Sequence, residues 1–550
     1  MRRPRNAWQG LLLAAVLTWL VVYPLLLTLM RGLREQGSWT LRYVHEFLAR
    51  PTELSALFNS LWIAVASVVL AAMIGIPLAF FFERYDFPGR RWLGAMVALP
   101  AVLPPLVGVV SFIFLFGESG FIAHLVRRLF SLEQAPWRLE GAGAILLVHA
   151  YSMYVYFYLF VRAGLAGIDA AVWEASASLG AGRGRTLRRV VLPLLRPQLV
   201  GAALLTFMTA LASFSAPYIF GGGFRVMTTQ IVSTRLNGED GLAMVETIAL
   251  TILALIGLWL LQRTDATDVT GGSKGVSPRP IPVRSPVWRT LIAIGGWTLA
   301  AGLLLPHLTL LLVSFVPVGT WTTEPLPPAY TVANYLTLLH DPVRARPLVN
   351  SLWMATLATV GALALSVLAA ILTVRRRATA RRWIEAVLTM PWAVPGTVFA
   401  IALAAAFSVR EPLALRFVLV GTLWLLPLAY LIRNLPITSR SILAGFRALD
   451  PSLDEASASL GANRSRTLRR ITLPLLKPAI IAGATLAFVT AFGDFVTSVV
   501  LYTYDTRPVS LEILSSLRQS DVGVAAAYGV VLMLVSAAVF ALGAGQRRVE

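Results

Sequence analysis

The chain has no cysteine in 550 residues, only two lysines, and a charged fraction of 13%. Without cysteine there is no disulfide, no thiolate nucleophile and no thiolate-ligated metal or iron–sulfur centre. The two lysines, Lys274 and Lys477, follow Ser273 and Leu476. A phosphate-binding loop of the form G-x-x-x-x-G-K-[ST] is therefore absent, and the chain is no P-loop ATPase. Soluble domains carry roughly 25% charged residues, so the scarcity of charge argues against a soluble body. What fills the space is apolar: 57% of residues are hydrophobic and the mean hydropathy is +0.72.

Runs of about 20 apolar residues, the length needed to cross a hydrocarbon core of about 30 Å, recur throughout. They predict an all-α polytopic membrane protein of twelve spans, near 10–30, 57–82, 92–117, 142–161, 199–220, 241–261, 290–315, 348–373, 383–408, 415–432, 479–501 and 522–543. The first follows Arg2, Arg3 and Arg5. Its long apolar stretch, with no small-residue cleavage site after it, reads as a retained anchor. With both termini in the cytoplasm, connections on that side hold 32 of the 47 Lys and Arg residues, as the positive-inside rule requires. The net charge of +20 then reflects topology and lipid headgroups, and predicts no nucleic-acid partner.

Residues 174–197 and 455–478 agree at 19 of 24 positions, 281 apart. The repeat extends outward: Asn59-Ser60-Leu61-Trp62 recurs as Asn350-Ser351-Leu352-Trp353, and Pro100 and Pro104 recur as Pro391 and Pro395, at an offset of 291. Two halves of six spans follow, 1–263 and 288–550. Six is even, so the copies share one orientation. Between them, 264–287 is rich in Thr, Asp, Gly, Ser and Pro and reads as a flexible cytoplasmic tether.

Within the repeated segment, Asp169 and Asp450 are N-cap candidates, Pro451 suits a first helical position, and Asp454 and Glu455 lie where a helix N-terminus favours carboxylates. Gly180 and Gly461 are suited to a left-handed helix stop. Each copy predicts a short cytoplasmic helix with small residues, Ala175 to Ser178 and Ala456 to Ser459, that admit a partner surface. Arginines 183, 185, 188 and 189 follow, before the next span, at headgroup level. The pattern E-A-x-x-x-x-G, then a basic stretch, then L-P resembles the EAA loop of membrane subunits of binding-protein-dependent ABC importers. That resemblance spans both halves (loops 169–197 and 450–478). It implies a coupling helix in each loop, formed around Glu174, Ala175 and Gly180 and around Glu455, Ala456 and Gly461, which docks on an ATPase subunit. It further implies two ATPase copies that bind the ATP and Mg, no cofactor in this chain, and a soluble binding protein on the outer face. The second Ala of the pattern is Ser here, at 176 and 457.

Ionisable groups inside spans are functional candidates by default. Asp494 sits inside the eleventh span and its repeat counterpart is Ser213, so unlike residues would line matching places of a substrate path. Shielding of Asp494 near a helix end, or its bonding to Thr490 or Thr497, is the competing reading. Glu246 and Glu385 fall near span ends and read as interfacial. His149, His307 and the cluster Tyr151, Met153, Tyr154, Tyr156 and Tyr158 read as packing. Two other classes fit less well: an ion-coupled secondary transporter needs more buried ionisable residues, and a scaffold has no use for twin loops. Residues 214–232 and 492–518 resemble ferric importer permeases, which points to iron(III); thiamine, polyamine and aminophosphonate are the alternatives. No carboxylate, Tyr or His cluster indicates a metal site.

Overall fold

The computed structural model describes residues 7–545 except 36, 102–103, 265–279, 284, 322–325, 377 and 411. It is helical almost throughout, and the halves repeat each other element by element. In the first half, helix Pro51–Arg84 packs along Gly141–Ala166; in the second, Pro342–Ala370 packs along Leu425–Ala448. Small buried residues make this approach possible. Ala56, Ser60, Ala64, Ser67, Ala71, Gly75 and Ala79 form a stripe at spacings of three and four down the first helix, the small-residue packing favoured where no hydrophobic effect drives association. At Gly75 a β-carbon would lie 2.4 Å from the Tyr154 carbonyl oxygen. Ser351, Ala355, Ala358, Ala362, Ser366 and Ala369 repeat the stripe, and Ser366 Oγ bonds Thr438 Oγ1 at 2.7 Å.

Each half's first helix packs on its own half and also clasps the other. Trp8–Gly32 runs against Arg381–Ala393 and Gly396–Ala406, with Trp383 Nε1 donating to Thr18 Oγ1 (2.8 Å) and Trp19 meeting Phe407 edge-on at 5.8 Å. Reciprocally, Pro286–Val313 packs on Pro105–Phe116, and Tyr151 Oη donates to the Leu303 carbonyl (2.8 Å).

Nine described helices are long and apolar enough to cross a membrane, and two more expected spans are bent pairs. Arg183–Leu194 and Arg196–Leu211 meet at 66°, and Arg381–Ala393 and Gly396–Ala406 at 111°. The second break coincides with Pro395, which removes an amide and disfavours helix in the residue before it. Around Pro100 and Pro104 the third expected span also divides, and the phenols of Tyr154 and Tyr158 donate to the Val97 (2.6 Å) and Gly94 (3.0 Å) carbonyls near that break. The tyrosines thus pack, as expected, and also bond backbone carbonyls next to the break.

The tenth expected span is displaced. Residues 415–424, although apolar, are not helical, and Leu415 and Arg416 have φ of 54° and 61°. The helix is Leu425–Ala448, buried among its neighbours and therefore able to carry Arg433, Asn434, Thr438 and Ser439. Hydropathy measures tolerance of lipid, and this helix scarcely meets lipid. Most of the expected tether, 265–279, lies outside the described residues; at its end Ile281–Pro282 pairs in parallel with Tyr85–Asp86.

Candidate functional site

The two loops fold alike. Asp169 Oδ1 accepts from the Ala171 amide (3.0 Å) and Asp450 Oδ1 from the Ser452 amide (2.9 Å), opening helices Ala170–Ser178 and Ser452–Ser459. The Ser452 amide holds the exposed Asp450 carboxyl below the usual carboxylate range. Pro451 stands at the cap, one place before the first helical residue. Gly180 (φ 71°) and Gly461 (φ 77°) close the helices. In each copy two amides turn back, Gly180 to Ala177 and Ala181 to Ser176, Gly461 to Ala458 and Ala462 to Ser457, at 2.9–3.0 Å. This is the Schellman arrangement, which a residue without a β-carbon adopts most cheaply.

The serines that depart from the EAA pattern point inward. Ser176 Oγ bonds Thr186 Oγ1 and Ser457 Oγ bonds Thr467 Oγ1, each at 2.7 Å and buried. They tie each loop helix to the helix that follows, a contact alanine cannot make. Glu174, Ala175, Glu455 and Ala456 are exposed. So are Leu179 and Leu460, at 87% and 88%, giving each loop an exposed apolar knob at its end as well as an exposed glutamate. The leucines sit one place before the glycine; their being apolar at a helix end was the available signal, which sequence reading passed over.

Beyond each loop, the chain rises through Arg196–Leu211 or Leu473–Phe492 to a break near the far side, about 24 Å along for the first. There the halves meet. Phe214 and Phe495, 281 apart in the chain, are buried with ring centroids 5.7 Å apart, and Tyr218 lies 6.0 Å from Phe495. Arg518 Nη2 of the second half donates to Tyr218 Oη of the first (2.8 Å). Gly493 leaves room for Pro104: a β-carbon there would approach Pro104 Cβ to 2.8 Å. No sequence motif marked the two phenylalanines as partners, since only the fold sets equivalent positions face to face.

Ser213 and Asp494 flank this contact in unlike settings. Ser213 Oγ bonds His149 Nε2 (2.9 Å), whose Nδ1 bonds Ser67 Oγ (2.8 Å). His149 is thus a polar bridge as well as a packed ring. Asp494 pairs with Arg433 Nη1 (2.6 Å) and accepts from the Thr497 and Ser498 amides (2.9 and 3.1 Å). Thr490 instead donates to the Leu486 carbonyl. Arg433 lies one residue beyond the expected tenth span, so no hydropathy signal marks it as intramembrane. Gly396 gives the guanidinium its space, since a β-carbon there would lie 2.6 Å from Arg433 Nη1. At the position equivalent to His149, Tyr430 bonds Ser498 (2.6 Å).

Glu246 corrects the expectation of an interfacial carboxyl. It is fully buried, with Oε1 accepting from Thr234 (2.7 Å), beside the equally buried Glu53, which Gln230 contacts at 3.0 Å. Glu385 stays at the surface, between Arg381 (3.2 Å) and Arg447 (3.0 Å). Among the described residues no group of three or more His, Cys, Asp or Glu could hold a metal ion.

Known proteins place this architecture. A probable ABC transporter permease of Sinorhizobium fredii is 32% identical over 96% of this chain and 94% of its own length. The ferric transport permease FbpB of Actinobacillus pleuropneumoniae is 27% identical over 96% of this chain and 77% of its own. A thiamine transport permease, ThiP of Brucella abortus, is 29% identical over 40% of this chain and 41% of its own. Residues 71–266 and 362–547, one stretch in each half, both match the family described as the binding-protein-dependent transport system inner membrane component. Two copies of one permease unit on one chain, each with its loop and joined at the Phe214–Phe495 contact, make this protein a fused two-half permease of the ABC importer family.

Proposed function

We propose that the chain forms the translocation path of an iron(III) importer of the bacterial inner membrane, with both termini in the cytoplasm. Two ATPase subunits dock on the loop helices, at Glu174, Ala175 and Gly180 and at Glu455, Ala456 and Gly461, and a loaded binding protein docks on the far face. The observation that carries the docking reading is the duplicated geometry: two left-handed glycine stops, each presenting an exposed leucine and glutamate. ATP-driven approach of the two helices would rock the halves and part Phe214 from Phe495. Cargo would then pass between Ser213 and the Asp494–Arg433 pair.

Similarity to FbpB over nearly the whole chain supports iron over thiamine, whose permease matches only part of it. The test is uptake in vesicles holding this chain, its ATPase and its binding protein, supplied in turn with labelled iron(III), thiamine, molybdate, a polyamine and an aminophosphonate. ATP-dependent uptake of iron(III) alone is expected. Uptake of another cargo with iron(III) excluded would overturn the substrate and leave the docking reading standing.

A further inference from the structure

The Asn-Ser-Leu-Trp motif has no place in docking or in the contact between the halves, yet it recurs at both far-side helix starts, and the structure shows what it holds. Asn59 Nδ2 donates to the Arg225 carbonyl (2.9 Å), and Ser60 Oγ accepts from the Met227 amide (2.7 Å). In the second half Asn350 Nδ2 reaches the Asp505 and Arg507 carbonyls (2.8 and 3.1 Å), and Ser351 Oγ accepts from the Val509 amide (2.9 Å). Trp62 and Trp353 each donate Nε1 to the Asn oxygen of their own motif (3.2 and 3.3 Å), fixing the amide. The backbone so gripped leads directly from the Phe214 and Phe495 breaks into helices Met227–Leu236 and Val509–Arg518.

The same two helices reach the loops at their other ends. Pro51–Arg84 and Pro342–Arg375 are each 34 residues long, about 51 Å, and so outrun a hydrocarbon core of about 30 Å. Their last residues, Arg84 and Arg375, are 291 apart like the motifs. Arg84 Cζ lies 3.9 Å over the ring of Trp173, and Arg375 Nε lies 3.3 Å from Asp454 Oδ2. Trp173 and Asp454 are themselves equivalent, each one residue before the loop glutamate. The contact persists at matched positions while its chemistry differs.

We propose that each long helix is a strut, gripping its loop helix by a terminal arginine and the far-side segment by its Asn-Ser-x-Trp motif, so that loop movement is carried to the contact between the halves. Arg84 and Arg375 are positioning residues in this scheme. The first grip, a cation over an indole, resists salt. The second, an ion pair whose carboxylate is 42% exposed, is screened by it.

The proposal rests on the loops being ATPase docking sites, so docking is measured first, by co-purification of the ATPase with the full chain. In vesicles with ATPase and binding protein, Arg84→Ala and Arg375→Ala are each expected to keep docking and to lower cargo moved per ATP by roughly fivefold or more, the low end of ordinary coupling energies. Arg375→Asp with Asp454→Arg should restore coupling that either change alone removes. In an Arg84→Ala background coupling should fall as salt rises; in an Arg375→Ala background it should be nearly flat. Unchanged cargo per ATP in both single variants, or failure of the swapped pair to recover, overturns the strut. Loss of docking in the arginine variants overturns it too, by making them docking residues. Absence of docking in the parent chain sinks the docking reading itself, a separate outcome.

Discussion

The two loops and the two far-side breaks have diverged to different degrees. In the loops, the Asp169 and Asp450 bonds, the glycine stops and the Ser–Thr bonds are the same in both copies, with matched distances within about 0.1 Å. At the breaks, Ser213 bridged by His149 is matched in the other half by an Asp494–Arg433 ion pair. On the function proposed above, the loops would meet two copies of one partner and so be constrained to stay symmetric, whereas walls around a cargo would gain nothing from symmetry. Between these extremes lie the struts, which keep their contacts and vary their chemistry. The approach to the far side differs as well: the first half bends by 66° at Leu195 where the second runs through Arg464–Phe492 as one span.

The sharpest test of this contrast is at the shared contact. Phe214→Ala and Phe495→Ala each remove a buried ring from the same interface, so each should cost about 3–5 kcal/mol and raise ATP hydrolysis without cargo. Thermal inactivation in detergent and binding-protein-independent ATPase rates would check both. Effects that differ widely between the two would break the view that they form one joint closure. The flanking residues should behave unequally. Asp494→Asn removes the countercharge of the Arg433 guanidinium, leaving it the Thr497 hydroxyl, and should destabilise by about 3 kcal/mol, whereas Ser213→Ala removes one neutral bond worth about 1 kcal/mol. Equal melting shifts would refute the asymmetry.

In the loops the expectation reverses: matched changes should give matched results. Gly180→Val or Gly461→Val forces a β-branched residue into a left-handed backbone at about 1–2 kcal/mol and should weaken ATPase co-purification similarly. Ser176→Ala and Ser457→Ala should each cost about 1 kcal/mol, read as faster backbone amide exchange in the loop helix. The smallest effect is that of acid on the Asp450 cap. Because its folded pKa is depressed, its contribution is complete above the ordinary carboxylate range and disappears as pH falls through the lowered value. Loop protection measured across that interval should fall with acid in the parent and stay level in Asp450→Asn.

Legibility followed the kind of constraint each residue obeys. Asp169, Asp450, Gly180 and Gly461 were readable because capping and left-handed stops depend on residues a few places apart, which a linear sequence displays. Eleven of the twelve expected spans have a counterpart, two of them only as bent pairs, and boundaries failed where a helix is shielded from lipid, as at Leu425–Ala448, or broken at proline, as at Pro395. Glu246 was misread as interfacial for the same reason: its distance from a span end says nothing about Glu53, nearly 200 positions earlier, with which it is buried.

From the chain alone came the duplication, the parallel orientation of the halves, the pairing of the two loops, and the lack of a P-loop lysine. These follow from composition, parity and short-range pattern, which need no knowledge of neighbours. Tertiary structure alone decided that the first helices cross to clasp opposite halves, that Phe214 meets Phe495, that Arg433 neutralises Asp494, and that one helix ties Met227 at one end to Trp173 at the other. Each of these pairs residues remote in sequence through packing in a medium where apolar surface has no preferred partner, so shape and polar satisfaction, rather than hydropathy, choose the contacts.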